Sequence, residues 1–369
     1  MLLLSEEISL SHRELKNIVN DPEKSAKAAN LQYVSDTQPG IRRIRRGTSF
    51  RYFYRDKKIA DEKLLQRIKK LVIPPAWENV WICPHDNGHL QATGLDVKKR
   101  KQYRYHHVWS HLRNHTKFYR LHDFGKLLPA IRRQIDRHLS LKGLPQEKVL
   151  AAVVALMEET SIRVGNGLYE KLYGSFGLTT LKDSHVKFDG HKMTFMFVGK
   201  KGVSHKISLK SKKLSAIVKK CRDIPGKELF QYIDEAGERR QIDSGMVNDY
   251  IQKIAGCDFT AKDFRTWKGS VQALIAFKEI GPAETVTACK KNIVSALDYV
   301  AKHLGNTRTV CKKYYVHPLI INLYETGRLQ KYLNELGPEG VCKKHDLLCE
   351  EKVLMKILKK ERLSSWEGN

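Results

Sequence analysis

The 369-residue chain predicts an α+β protein. A small β-rich N-terminal domain precedes a mainly α-helical domain that carries a three-stranded β meander. Three observations predict this. Short runs rich in Arg and aromatics, punctuated by turn signals, fill the region from Gly40 to His106. Segments with apolar residues at helical spacing dominate after Trp109. One island, "HVKFDGHKMTFMFVGKKGVSHKISL", interrupts them with strand-like alternation and two turns.

Residues 1–38 read as a polar extension without sustained periodicity, ending at the turn signal Gln38-Pro39-Gly40. Residues 39–113 form the β-rich domain. "GIRRIRRGTSFRYFYRDKKIAD" gives short strands with turns at Gly47 and Arg55-Asp56-Lys57. A helix from Glu62 to Leu71 stops before Pro74-Pro75, and "VWICPHDNGHLQATGLDVKKRKQYRYH" returns to strands broken at Asp86-Asn87-Gly88 and Gly94. Residues 114–333 form the helical domain. "KLLPAIRRQIDRHLSLKG" and "QEKVLAAVVALMEE" are its first helices, the second apolar enough along Val149, Val153, Leu156 and Met157 to be central core. The meander turns at Asp189-Gly190 and at Lys200-Lys201-Gly202, and helices then continue through Glu325. Residues 334–369 read as a charged helical extension, "EKVLMKILKKERL".

Composition narrows the function. Lys and Arg number 67 against 40 Asp and Glu, a formal charge of +27. A surplus that large attracts phosphate and exchanges with its counterions, which points to nucleic acid as partner. No apolar run approaches the ~20 residues of a membrane span, and "MLLLSEEISL" lacks the basic start of a signal peptide. Seven scattered cysteines (83, 221, 257, 289, 311, 342 and 349) predict reduced thiols in a cytoplasmic compartment. Cys83 with His85 and His89, and Cys342 with His345 and Cys349, offer three ligands each, short of the paired four of a structural zinc site. No phosphate loop or dinucleotide fingerprint occurs. The expectation is therefore no metal and no cofactor.

Several cations sit where neither a helix core nor a turn needs them. Arg163 lies in "SIRVGNG" just after the apolar helix, and Lys200 at the second hairpin tip in "FVGKKGVSH". Lys262 and Arg265 in "TAKDFRTWKGS" share a helix face at i and i+3. A tyrosine pair, Tyr314 and Tyr315, follows in "LGNTRTVCKKYYVHP". Each alone has a bland explanation: a cation at a helix end, a solvated tip, an exposed face, core plus rim. Together they suit phosphodiester cleavage by a side-chain nucleophile. Two guanidinium forks can bind the oxygens of a pentacoordinate phosphorus. A lysine can protonate the departing sugar oxygen, and neighbouring arginines favour the phenolate of an attacking tyrosine.

At these residues the chain resembles the type IB DNA topoisomerases, specifically the small viral (poxvirus-like) and bacterial enzymes. The likeness runs from about Tyr33 to Leu329 through "QPGIRRIRRG", "LVIPPAWENVWICP", "GLDVKKRKQYRYH", "RVGN", "FVGKKGVSH", "KDFRTW" and "LGNTRTVCKKYYVHP". The resemblance implies a β-rich domain and a helical catalytic domain closing as a clamp around duplex DNA, in a monomer. It implies Arg163 and Arg265 as phosphate-binding arginines, Lys200 as general acid with Lys262 assisting, and Tyr315 as nucleophile, nine residues beyond Asn306. Spacing adds weak support: Tyr314 follows Val310 on an apolar stripe, whereas Tyr315 points about 100° away, which assigns Tyr314 to packing. Asn306 stands where viral members carry a histidine; an amide can donate to phosphate but cannot be cationic. In the N-terminal domain, "KKRKQYRY" would enter the major groove, with Lys98, Lys99, Arg100 and Lys101 on phosphates, and Gln102 with one of Tyr103 and Tyr105 at base edges. Arg42, Arg43, Arg45 and Arg46, with Tyr52, would track the backbone. The implied reaction is relaxation of supercoiled DNA through a 3′-phosphotyrosyl intermediate, strand rotation and religation, without ATP or metal, in the cytoplasm and on the nucleoid in a bacterium.

Two other readings compete. A tyrosine site-specific recombinase shares the constellation, but usually places His three residues before the second arginine, where this chain has Lys262, and carries a helical rather than β-rich N-terminal domain. A catalytically inert DNA-binding protein would not need the intact set of Arg163, Lys200, Arg265 and Tyr315.

Overall fold

A computed structural model describes residues 2–5, 8–10, 21–97, 99, 101–336 and 343–364. The chain divides into two compact units, residues 1–120 and 121–369. Lys98, Arg100 and Cys342 lie outside the described residues.

The first unit is built on a six-stranded antiparallel sheet in the order β5-β4-β3-β6-β7-β8. Its strands are β3 (Ile41–Arg46), β4 (Ser49–Tyr54), β5 (Lys57–Lys58), β6 (Glu78–Ile82), β7 (Leu90–Leu95) and β8 (Lys101–Tyr105). A separate two-stranded pair, β1 (Leu2–Ser5) and β2 (Ile8–Leu10), precedes it. The β3–β4 pairing turns at Gly47, whose φ of 58° favours glycine. Ile41, Val80, Ile82 and Ala92 on the sheet bury themselves against Ile68 of helix α2 (Glu62–Lys70). Asp61 caps α2 by accepting from Lys63 N at 2.9 Å.

Two boundaries differ from the sequence expectation. Residues 21–38 are not a bare extension. Asp21 caps α1 (Pro22–Ala28), and Ala26, Ala29 and Leu31 pack with Val108, Trp109 and Leu112 of α3 (His107–Tyr119). That small second core holds α3 in the first unit and moves the division from residue 113 to Arg120. Polar composition hid it, because three small apolar residues suffice when a partner helix supplies the tryptophan.

The second unit wraps around α5 (Gln146–Thr160), where Val149, Ala151, Ala152, Val153, Val154 and Leu156 are fully buried. Helices α4 (Leu121–Leu139), α7 (Lys212–Arg222), α8 (Ser244–Ala255) and α9 (Ala261–Ile280) surround it. Pro129 lies inside α4; proline removes one ladder hydrogen bond, but buried Phe124, Leu128, Ile131 and Ile135 continue across it. The meander forms as expected from β9 (Val186–Asp189), β10 (Lys192–Val198) and β11 (Ser204–Lys210), and Met193, Phe195 and Phe197 alternate onto the core. After α6 (Gly167–Tyr173), α7 and a short hairpin the sequence did not announce, β12 (Gln231–Ile233) with β13 (Arg239–Gln241), come α10 (Val286–Leu304), α11 (Arg308–Tyr314), α12 (Pro318–Glu325) and α13 (Gln330–Leu333).

The last helix, α14 (Cys349–Ser364), is part of this core rather than an appendage. Val353, Leu354, Ile357 and Leu358 are buried. Its Glu351 accepts from Arg132 Nη1 and Nη2 at 2.9 and 2.8 Å, from Trp267 Nε1 at 3.0 Å and from Leu348 N at 2.8 Å. Burial opposes its ionisation, but the Arg132 fork overcomes that and holds the carboxyl below its ordinary range. Glu351→Ala would leave Arg132 paired with Glu158 at 2.7 Å but would strip Trp267 Nε1 of its acceptor in a buried site. The expected loss is about 1–3 kcal/mol of unfolding free energy, read from urea denaturation. An unchanged midpoint would mean that α14 is not an integral part of the unit.

Candidate active site

Two helix C-termini in the second unit define the site. Helix α5 ends at Ser161, a non-glycine residue in the left-handed region with φ 57°. Helix α10 ends at Gly305, also left-handed, whose N–H closes back on Ala301 O and Lys302 O. A helix end leaves carbonyls without intrahelical partners and carries partial negative charge, so it attracts cations. Arginines occupy both ends. Arg265 donates from Nη1 to Ser161 O and from Nη2 to Leu304 O at 2.8 Å. Arg163 donates from Nη2 to Gly305 O at 3.0 Å and to Asn306 Oδ1 at 2.6 Å.

The backbone around Arg163 is pinned to the chain after α6. Leu178 N donates to Arg163 O at 2.8 Å, and Thr179 N to Val164 O at 2.6 Å. A Cβ on Gly177 would stand 2.6 Å from Arg163 O, so only glycine permits this approach. Arg265 sits one turn inside α9, whose N-terminus is closed by a reciprocal cap: Asp263 Oδ2 accepts from Thr260 N at 2.8 Å and from Thr260 Oγ1 at 3.0 Å.

Arg265 is 5% exposed. Burial, with the like charge of Arg265, pulls the Arg163 guanidinium down to about 10, still protonated at neutral pH. Two cations therefore share a desolvated corner without a carboxylate between them among their described partners. Two of its donors are also unsatisfied: Arg265 Nε and Asn306 Nδ2 are buried and have no hydrogen-bond partner among the described residues. A buried donor left open costs about 1–3 kcal/mol. Because Arg163 donates to the Asn306 oxygen, the amide orientation is set and the nitrogen is the group left open. Charge and open donors together ask for an anion with several acceptor oxygens.

Tyr315 joins this corner from α11. The Arg265 Cζ lies 5.1 Å from the Tyr315 ring centroid. Its backbone is clamped to α9: Ser270 Oγ donates to Tyr315 O at 3.3 Å and accepts from His317 N at 3.0 Å. A Cβ on Gly269 would come within 2.6 Å of Tyr315 O. Cys311, one turn before Tyr315, is fully buried beside both arginines, and burial pushes its thiol up to about 11.

Tyr314 and Tyr315 are both half-buried. Tyr315 packs against the core, and Lys313 Nζ lies 5.5 Å from the Tyr314 ring. The buried face of α11 runs through Cys311, so the stripe projected from Val310 is off by one residue. Lys262 lies on the same helix as Arg265 but is exposed, and Lys200 is exposed at the β10–β11 tip. A cavity of about 520 Å³ elsewhere in this unit is lined by Arg132, Asp136, Glu158 and Lys344 among others, and by none of the four converging residues.

Sequence reasoning did not single out Ser161, Leu304, Gly305, Gly269, Ser270 or His205. Only Gly305 carried a signal, a glycine closing a helix.

In the first unit the expected nucleic-acid residues separate by environment. Arg43 is turned inward, donating to Ile73 O, Pro74 O and Trp77 O at 3.3, 3.0 and 2.7 Å and covering Phe50 at 4.2 Å. That network holds the 73–77 turn, so Arg43 is committed to the fold. Tyr52, opposite it on β4, packs under the sheet. Arg45 and Arg46 are exposed; Arg42 pairs with Asp56 and Lys99 with Glu78 at the surface. Exposed pairs of this kind hold only ~0–1 kcal/mol and yield to a phosphate. On edge strand β8, Tyr103 and Tyr105 stack at 5.8 Å, both nearly half exposed. Lys101 reaches Asp36 at 2.6 Å and Gln102 reaches Asp96 at 3.0 Å. Of the two sequence clusters weighed as zinc ligands, His89 Nδ1 accepts from Val34 N at 3.1 Å and its ring stacks on Tyr33, and Cys342 lies outside the described residues.

Comparison with known proteins gives the family. Residues 99–336, which enclose Arg163, Lys200, Lys262, Arg265, Asn306 and Tyr315, match the family described as eukaryotic DNA topoisomerase I, catalytic core. Residues 49–96 match the bacterial DNA topoisomerase IB N-terminal domain. DNA topoisomerase 1B of Acanthamoeba polyphaga mimivirus is 33% identical over 296 residues, 78% of this chain and 88% of that protein. DNA topoisomerase 1B of Vaccinia virus (strain Copenhagen) is 26% identical over 242 residues, 63% of this chain and 72% of its own. With a catalytic-core match of this extent, neither a recombinase nor an inert binder describes it: the chain belongs to the type IB DNA topoisomerase family.

Proposed function

We propose that this enzyme relaxes supercoiled duplex DNA by transient cleavage of one strand, with Tyr315 as nucleophile. The observation that carries the proposal is the pair of open buried donors, Arg265 Nε and Asn306 Nδ2, beside two guanidiniums and the Tyr315 ring. A phosphodiester seated there would give each donor an acceptor oxygen. In the pentacoordinate transition state the extra negative charge would fall on those same oxygens, so the site binds the transition state more strongly than the substrate.

Tyr315, its phenol proton released to solvent and its phenolate favoured by the neighbouring arginines, attacks phosphorus, and the bond to the 5′ oxygen breaks. Lys200 donates the proton that the departing alkoxide requires, with Lys262 assisting. The product is a 3′-phosphotyrosyl ester and a free 5′-hydroxyl end. Torque rotates that end, and the hydroxyl, giving its proton back to Lys200, attacks phosphorus, breaks the phosphotyrosyl bond and reseals the strand with release of Tyr315. Since the ester conserves the energy of the broken bond, the cycle calls for no ATP, and two arginines with an amide supply the charge stabilisation otherwise asked of a metal. Asn306 does by orientation what a cationic histidine does by charge. Exposed Arg45, Arg46 and the β8 residues would hold the duplex through its phosphates, in a monomeric enzyme working on the cytoplasmic DNA.

Relaxation of a supercoiled plasmid in EDTA without ATP tests the reaction directly; a topoisomer ladder is expected, and a need for either component would overturn this mechanism. Tyr315→Phe should abolish cleavage while retaining DNA affinity. Asn306→Ala should slow single-turnover cleavage about 10²-fold, the usual worth of one oriented donor; a wild-type rate would remove the amide from the chemistry. Log affinity should fall with log salt at about −0.9 per phosphate contacted, and a flat response would be incompatible with phosphate-led binding.

A further inference from the structure

His205 closes the "FVGKKGVSH" motif, and the reaction described above gives it no role. It faces Phe197 across the β10–β11 ladder, and the two rings stack at 4.9 Å with an interplanar angle of 20°. Its imidazole fills the space in front of two glycines from distant parts of the chain. A Cβ on Gly199 would lie 2.6 Å from His205 Nε2, and a Cβ on Gly305 would lie 2.2 Å from His205 Cε1. Gly199 opens the hairpin tip and immediately precedes Lys200; its N–H donates to Val203 O at 2.7 Å, closing the tip. Gly305 is the residue whose carbonyl holds Arg163, next to Asn306. The His205 ring is thus wedged between the loop that carries the lysine and the turn that carries the phosphate-binding groups. Close packing of the ring edge against both segments, with Phe197 stacked on its face, couples their positions.

We propose that His205 is a positioning residue for Lys200: its ring seats the hairpin tip on the Gly305–Asn306 turn, and so sets where the lysine delivers its proton. The inference rests on Lys200 being the general acid. A proton donor displaced by about 1 Å loses on the order of 10²-fold in rate, whereas the phosphate pocket is built from other residues and stays intact without the ring.

A leaving-group substitution isolates this role. In an oligonucleotide whose bridging 5′ oxygen is replaced by sulfur, the P–S bond breaks to release a thiolate, which needs no proton. Single-turnover cleavage of the oxygen and sulfur substrates is measured for His205→Ala, for His205→Phe, which keeps a ring of similar volume on Phe197, and for Lys200→Ala. For His205→Ala the sulfur-to-oxygen rate ratio should rise by roughly 10–10²-fold over the parent, in the same direction as for Lys200→Ala, while DNA affinity stays unchanged. His205→Phe should lie between the two enzymes. A ratio equal to the parent's in both His205 variants, whether both rates fall together or neither does, would overturn the positioning role. A Lys200→Ala enzyme equally slow on both substrates would instead overturn the general-acid reading on which it rests.

Discussion

The second unit is organised around two arginine side chains that must share one buried corner. Like charges at that range repel, and each guanidinium also loses hydration, which the lowered proton affinity of Arg163 reflects. The fold offsets this with helix ends. The α5 C-terminus at Ser161 and the α10 C-terminus at Leu304 and Gly305 supply carbonyls with no other intrahelical use, and their dipoles favour positive charge. The arrangement is stable enough to persist, yet two donors remain open. Charge and open donors are thus held together by the fold itself, with no rearrangement needed to expose them to an acceptor.

Helix α9 ties this corner to Tyr315. Within three turns it presents Arg265 to the helix ends, Trp267 to Glu351, and Gly269 with Ser270 to the main chain at Tyr315. A rotation or slide of α9 would move arginine and tyrosine together rather than apart. The C-terminal helix α14 restrains such movement through Arg132 and Glu351. It lies beyond the residues that match the family's catalytic core, which end at 336, yet it braces the helix on which the site depends.

In the first unit, the same residue type serves two purposes. Arg43 and Arg67 spend their donors on main-chain carbonyls and stiffen turns between strands, as Arg67 does with Cys83 O at 2.6 Å and His85 O at 2.8 Å. Arg45 and Arg46, two and three residues after Arg43, face solvent. A stretch such as "IRRIRR" contains both kinds, and the pleat together with the turn that follows decides which is which.

Much of this was legible in the sequence. Periodicity gave the order of strands and helices, because hydrophobic spacing of two or three to four residues reports local geometry directly. The resemblance to the type IB family through "RVGN", "KDFRTW" and "LGNTRTVCKKYY" marked Arg163, Arg265, Asn306 and Tyr315. What the sequence could not carry was any fact that depends on two distant segments meeting. The small core of Ala26, Leu31 and Trp109, the bracing of α9 by Glu351, the commitment of Arg43 to the 73–77 turn, and the wedge of His205 between Gly199 and Gly305 are of this kind. Composition and local pattern determined which groups are present and which elements bear them. The tertiary structure alone decided which donors are satisfied and which stay open, since hydrogen-bond satisfaction belongs to contacts between elements rather than to any element by itself.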